Sequence, residues 1–237
     1  MTPSTPAQIE IRGLTKRYNR QTVLRDLSLT VADGDFCVLV GANGAGKTTL
    51  LRILATLVRP DAGEITIGQE SLWQDPATRQ KLGYVGHTSL FYSDLNAMEN
   101  LRHYARLYGL PDAERRAAES IQAAGLAPDQ AKPIRTYSRG MQQRLAIARA
   151  LLHDPAVLLL DEPYTGLDPD AARWLDGLLQ EWRSPGRAIL LAAHRPQRLL
   201  PLATQVAWLK GGQIAEAIPV SELTDHPDLH RYLLEVI

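Results

Sequence analysis

Three short stretches of this chain carry residue types suited to phosphate chemistry. Gly41-Ala42-Asn43-Gly44-Ala45-Gly46-Lys47-Thr48, with Thr49 next, satisfies every fixed position of the G-x-x-x-x-G-K-[ST] phosphate-loop pattern. Glycines let such a backbone curl until its N–H groups point at phosphate oxygens, and the helix that follows adds favourable partial charge. Lys47 is then placed to reach the β- and γ-phosphates, and the Thr48 hydroxyl to ligate Mg²⁺. The second stretch is Val157-Leu158-Leu159-Leu160-Asp161-Glu162, an apolar run that delivers two acids to its end. Asp161 is expected to support Mg²⁺, directly or through water, and Glu162 to orient or deprotonate an attacking water. Strands often end in acids, so this run gains meaning only beside the phosphate loop. The third stretch is Tyr137-Ser138-Arg139-Gly140-Met141-Gln142-Gln143-Arg144, a Ser-x-Gly turn opening a Gln/Arg-rich helix. By itself it reads as a Ser-capped amphipathic helix with nothing bound.

The elements needed to position these residues are visible around them. Phe36 to Val40 is a continuous apolar run, as expected of a strand buried on both faces, and it leads into the phosphate loop. Lys47 to Val58 reads as a helix ended by Pro60, and Gly63 to Ile67 as a short strand. Ile9 to Arg12 alternates like an edge strand, and Leu27 to Val31 alternates again before an Asp33-Gly34 turn. Two helical segments, Met98 to Tyr108 and Ala113 to Ala124, flank Gly109-Leu110-Pro111 and look like an insertion into an α/β core. Strand-like Val157 to Leu160, helical Ala171 to Trp182 and strand-like Ala188 to Ala192 then alternate. Gln205 to Lys210 and Gln213 to Glu216 flank Gly211-Gly212, a hairpin signal. This alternation argues for an α/β core.

Composition excludes several other classes. Lys plus Arg equals Asp plus Glu at 26 each, so nothing supports nucleic-acid binding, which usually shows as a basic excess. The single cysteine, Cys37, permits no internal disulfide and sits in an apolar run as a small core residue. Met1 to Gln8 lacks the basic-then-apolar pattern of a secretory signal. No apolar run approaches the roughly 20 residues that span a bilayer, so action at a membrane would require a partner.

In this order the three motifs resemble the nucleotide-binding subunit of an ABC transporter. Gly41 to Thr48 is similar to Walker A, Tyr137 to Met141 to the family signature and Leu158 to Glu162 to Walker B, and the likeness covers roughly Ile9 to Glu216. The resemblance implies an α/β fold: a P-loop NTPase core with a mixed sheet, an N-terminal antiparallel β subdomain and an inserted α-helical subdomain. It implies one domain over 1–237, with the insertion at about 88–150. ATP and Mg²⁺ are the implied cofactors. Two copies, or a pseudo-dimer, would pair head to tail, each signature contacting the γ-phosphate of ATP held by the other chain through Ser138 and Gly140. The signature departs from the usual Leu-Ser-Gly-Gly-Gln at Arg139 and Met141 but keeps the serine and second glycine. Tyr18 fits the aromatic that stacks on adenine, Thr165 to Asp168 the D-loop and His194 the switch histidine that senses the γ-phosphate. His87 stands where the family usually has glutamine, in the loop linking nucleotide to the membrane partner. Imidazole can hydrogen-bond a Mg²⁺-bound water, and it titrates near neutral pH; a loop histidine that bonds only backbone is the alternative.

Gly86-His87 and the stretch Leu95 to Tyr108 resemble one subgroup, the ATPases of haem exporters used in cytochrome c maturation. Drug and polysaccharide export ATPases look similar. A soluble ABC ATPase of the iron–sulfur assembly type is the other class left open. The expected partners are integral membrane permease subunits, and the expected location is peripheral, on the cytoplasmic face of the cell membrane.

Overall fold

The computed structural model describes residues 7–128 and 131–235. Of the stretch Met1 to Gln8, expected to be no secretory signal, residues 1–6 lie outside the described residues. Two sheets organise the chain. An antiparallel sheet of order β2-β1-β4-β5 is built from β1 (Ala7–Tyr18), β2 (Gln21–Ala32), β4 (Ala62–Ile67) and β5 (Glu70–Ser71). A six-stranded sheet of order β10-β9-β3-β8-β7-β6 contains β3 (Phe36–Val40), β6 (Leu82–Val85), β7 (Val157–Asp161), β8 (Ala188–Ala192), β9 (Gln205–Lys210) and β10 (Gln213–Pro219). All its pairings are parallel except the antiparallel hairpin β9–β10, so the sheet is mixed.

Strand periodicity explains the layering. β3, β7 and β8 are buried at all five positions, as their uninterrupted apolar runs require. Alternate residues then face different cores. Cys37, Leu39, Leu159 and Leu190 pack with the antiparallel sheet and with α1 (Lys47–Leu54). Phe36, Val38, Leu158 and Leu191 pack on the other side against α4 (Arg139–Leu151), α5 (Pro169–Trp182) and α6 (Pro227–Glu235). A third cluster joins α2 (Ala97–Leu107) and α3 (Ala113–Ala123) to α4 through Leu101, Ile121 and Leu145. Burial of Cys37 pushes its thiol far above the ordinary range and leaves it a core residue.

Two expectations need correction. Ile9 to Arg12 is not on an edge, because β1 pairs with β2 on one side and β4 on the other. Alternation reports a strand with one buried face and carries no information on whether both backbone edges are paired. The helix after the phosphate loop stops at Leu54 and does not reach Val58. Thr56 turns left-handed at φ 59°, and the N–H groups of Leu57 and Val58 both fold back onto the Arg52 carbonyl, so the apolar pattern outlasts the helix.

Candidate functional site

The buried strand β3 ends at the phosphate loop, which closes on Gly46 at φ 111°. A Cβ at Gly46 would stand 2.7 Å from the Leu24 side chain, so only glycine fits the loop against β2. Lys47 follows, 6% exposed, its Nζ donating to the Gly41 carbonyl at 2.6 Å and the Ala42 carbonyl at 3.2 Å. Burial lowers the pKa of this ammonium, and the charges of Glu162 and Asp161 partly offset the shift. Val23, Asn43, Gly44, Ala45, Gly46, Lys47, Thr48, Thr49 and Glu162 line one cavity of about 280 Å³. The loop cradle and the end of the acid strand therefore meet, the pairing that gives the two acids their meaning.

β7 runs parallel beside β8 and carries Asp161 to the sheet's loop-bearing end. The Thr48 hydroxyl donates to Asp161 Oδ1 at 3.2 Å. Asp161 Oδ2 is buried without a hydrogen-bond partner, and His87 Nε2 lies 3.6 Å from it, too far for one. Burial raises the Asp161 pKa, against the Thr48 hydrogen bond and the His87 charge. An orphaned carboxylate oxygen beside a hydroxyl is a donor set suited to a hard divalent cation. Among the described residues no cluster of three or more His, Cys, Asp or Glu makes a ready-made metal site. A Mg²⁺ ion fits here with its remaining positions filled by phosphate and water.

Glu162 adopts φ 51°, an uncommon conformation for this residue that is often found at functional sites. Its N–H donates to the Ala192 carbonyl at 3.0 Å, its own carbonyl accepts the Thr165 N–H at 3.1 Å, and its Oε2 accepts the Thr165 hydroxyl at 3.4 Å. His194 follows β8 and is exposed. It lines a cavity of about 420 Å³ together with Glu162, Tyr164, Thr165, Gly166 and Leu199. His87 lines a smaller cavity of about 100 Å³ with Asp161, Glu162, Arg139, Gln142 and Gln143. Gln142 and Gln143 carry no role in the sequence reading, and only the fold brings them to the cavity that the acids line, with the Gln142 amide donating to the Ile134 and Tyr137 carbonyls.

Tyr18 stands 43% exposed at the β1–β2 hairpin, with Lys16 Nζ 5.3 Å from its ring centroid. Ser138 caps α4, its Oγ accepting the Met141 N–H at 3.2 Å. Neither Ser138 nor Gly140 lines the cavity that holds Lys47; a Cβ at Gly140 would face Asp168 and Ala171 of the D-loop side. The chain thus gathers Lys47, Thr48, Asp161, Glu162 and His87 and sets His194 across a cavity from Glu162; of the signature turn, Arg139 lines the His87 cavity while Ser138 and Gly140 stay outside the one that holds Lys47.

Residues 24–165 match the family model described as ABC transporter. The chain belongs to the ABC transporter family. It is 37% identical over 221 residues to the Nod factor export ATP-binding protein I of Cupriavidus pinatubonensis, covering 92% of this chain and 68% of that protein. It is 35% identical over 218 residues to the daunorubicin resistance ATP-binding protein of Streptomyces coeruleorubidus, covering 91% and 69%. A solved ATP-binding subunit of an ABC transporter superposes with TM-score 0.86 at 29% identity, covering 97% of this chain and 99% of that one. A dimeric ATP-binding cassette in a post-hydrolysis state, bound to ADP and Pi, superposes with TM-score 0.81 at 26% identity, covering 90% and 98%. The cassette is therefore an ATP-binding, ATP-hydrolysing transport subunit with the mixed α/β fold of that family. Among the described residues no helix is long and apolar enough to cross a membrane.

Proposed function

We propose that this chain is the ATPase subunit of an ABC exporter, working as two copies docked on separate permease subunits at the cytoplasmic face of the membrane. The observation that carries the reading is the divided site: Lys47, Thr48, Asp161 and Glu162 converge, while Ser138 and Gly140 stay outside their cavity. A second copy facing head to tail supplies the missing signature turn, and cyclic pairing of this kind closes on itself. On nucleotide binding, Lys47 exchanges its two carbonyl partners for phosphate oxygens. Gly41 to Thr49 cradle the phosphates with backbone N–H groups, and Tyr18 offers its exposed ring to adenine. Thr48 and Asp161 would hold Mg²⁺, which supplies positive charge to the phosphates. Glu162 accepts the proton of the attacking water at its carboxylate, and His194 donates to the γ-phosphate. Ser138 hydroxyl, Gly140 N–H and the α4 N-terminus complete the anion site in trans.

His87 reaches toward the same acids from the loop after β6, in the place of the usual glutamine. That loop continues into exposed Leu90, Tyr92 and Leu95, an apolar surface suited to a cytoplasmic segment of a permease. Relatives named for Nod factor export and daunorubicin resistance support export as the direction of transport. Haem export is the narrower reading, favoured by the Gly86-His87 loop; the relatives' names favour the broader one.

The test uses Glu162→Gln with ATP. Removing a general base slows turnover by about 10²–10⁴-fold, and the trapped protein should elute as an ATP-dependent dimer by light scattering. Adding Ser138→Arg should return it to monomer while leaving ATP binding intact. Wild-type turnover by Glu162→Gln, or dimers that ignore Ser138→Arg, would overturn the assignment.

A further inference from the structure

Two catalytic loops lean on one carboxylate that no motif contains. Asp176 projects from α5, whose Leu175 and Leu179 are fully buried. The Tyr164 hydroxyl, two residues past Glu162, donates to Asp176 Oδ1 at 2.8 Å. Arg198, four residues past His194, donates through Nε to the same oxygen at 3.1 Å and through Nη2 to Oδ2 at 2.5 Å. The Arg198 guanidinium also lies 5.7 Å from the Tyr164 ring centroid, which closes the triangle. Desolvation and the Asp176 carboxylate push the Tyr164 hydroxyl far above the usual phenol range, so it stays a donor. We propose that Asp176 is a positioning residue for ATP hydrolysis, locking the loop that carries Glu162 to the loop that carries His194 across the cavity both line.

The inference rests on the roles assigned above to Glu162 and His194. Its physical basis is that Glu162 holds an unfavourable backbone conformation, which persists only where the surroundings over-determine it. The Glu162 N–H bond to Ala192 fixes the loop from upstream. The Tyr164–Asp176 bond fixes it downstream, and Arg198 carries the same constraint to the His194 loop. The ion pair is partly open to solvent, with side-chain exposures of 43% for Arg198 and 26% for Asp176. Such pairs add little to folding stability. Their loss should therefore appear in the rate of hydrolysis before it appears in the fold.

The experiment measures kcat per ATP-binding site and KM on the full chain for Asp176→Ala, Arg198→Met and Arg198→Lys. Alanine suits the middle of α5, so Asp176→Ala keeps the helix. Displacement of a catalytic group by a fraction of an ångström supports an expected fall of about tenfold in kcat for Asp176→Ala and Arg198→Met, with KM within about twofold of wild type. Arg198→Lys keeps a charge that reaches Asp176 and should retain most of the rate. The double variant Asp176→Ala/Arg198→Met should be no slower than the slower single, because both remove one constraint. A merely structural role would instead lower the number of binding sites or the melting temperature and leave the rate per site alone. Rates per site within about twofold of wild type for both singles, or losses that multiply in the double, would overturn the proposal. Glu162→Gln serves as the control: if it abolishes turnover while Asp176→Ala and Arg198→Met stay within about twofold of the wild-type rate, only the positioning role fails, and if it hydrolyses normally, the site assignment fails.

Discussion

Lys47→Met separates nucleotide binding from the stability of the free protein, and the structure sets both magnitudes. The ammonium is 6% exposed and held by two backbone carbonyls, so the unliganded fold carries a charge that burial disfavours. Methionine keeps the volume and removes the charge along with two hydrogen bonds, and these effects oppose each other. The melting temperature without nucleotide should therefore change by no more than the equivalent of about 1 kcal/mol, or about 2–4 °C for a chain of this size. Ligand linkage acts differently. ATP at a hundredfold excess over its Kd stabilises the wild type by about 2.7 kcal/mol, an upward shift of about 5–11 °C. Charge-assisted hydrogen bonds of the kind Lys47 makes to phosphate are worth about 1.5–3 kcal/mol. Their loss weakens the Kd by about 10–150-fold, so the same ATP concentration should stabilise Lys47→Met by only about 0.3–1.3 kcal/mol. The expected shift shrinks to about 1–5 °C. Differential scanning fluorimetry with an ATP titration reads both quantities. A variant that keeps the full ATP shift would show that Lys47 does not reach the phosphates; one that unfolds well below wild type without nucleotide would show that the carbonyl bonds outweigh the buried charge.

Two further outcomes concern pH. Burial raises the Asp161 pKa above its ordinary 3.8, so between that value and the raised one the folded state binds more protons than the unfolded state. Its favourable contribution is present below 3.8 and lost as pH rises through the folded value, so nucleotide-free Asp161→Asn should match or exceed wild-type melting temperature at neutral pH while losing Mg²⁺-dependent hydrolysis; a clear drop at neutral pH would contradict this. His153 behaves in the opposite sense: burial lowers its pKa below 6.5 while its Nε2 lies 3.0 Å from the Leu82 carbonyl, and its ring stacks on Tyr108 at 4.0 Å. Its contribution is complete above pH 6.5 and lost as pH falls through the folded value, so His153→Gln should flatten the acid side of the stability profile, and an unchanged slope of melting temperature against pH would refute the assignment.

The contiguous parts of the site were legible in the sequence because their chemistry demands adjacency. A phosphate cradle needs its glycines and Lys47 within eight residues, and β7 delivers Asp161 and Glu162 as neighbours. The cores were legible for a related reason: runs such as Val157 to Leu160 must be buried on both faces. What escaped was set by backbone or by long-range geometry. The end of α1 depends on Thr56 entering a left-handed conformation, which the apolar residues around it do not announce. The interior place of β1 depends on pairing with β4, more than forty residues away. Tyr164, Asp176 and Arg198 lie in three different elements or loops with no common period, so nothing in their spacing suggests that one carboxylate joins them.

Arg139 shows how a departure from a motif acquires a physical reason only in three dimensions. It replaces a glycine of the usual signature while the serine and second glycine are kept, and the sequence alone gives no reason for the larger side chain. In the fold its side chain lies across Gly166 of the D-loop, where a Cβ would come within 2.8 Å of the Arg139 Cδ, Nε and Cζ. Gly166 also sits at φ 77°, so both its conformation and its missing side chain are needed for the guanidinium to lie there. The larger residue at 139 and the absent one at 166 are therefore one packing solution. It ties the turn that carries Ser138 to the loop that begins at Glu162 within the same chain, and it leaves Ser138 and Gly140 available for the phosphate contact proposed across two copies.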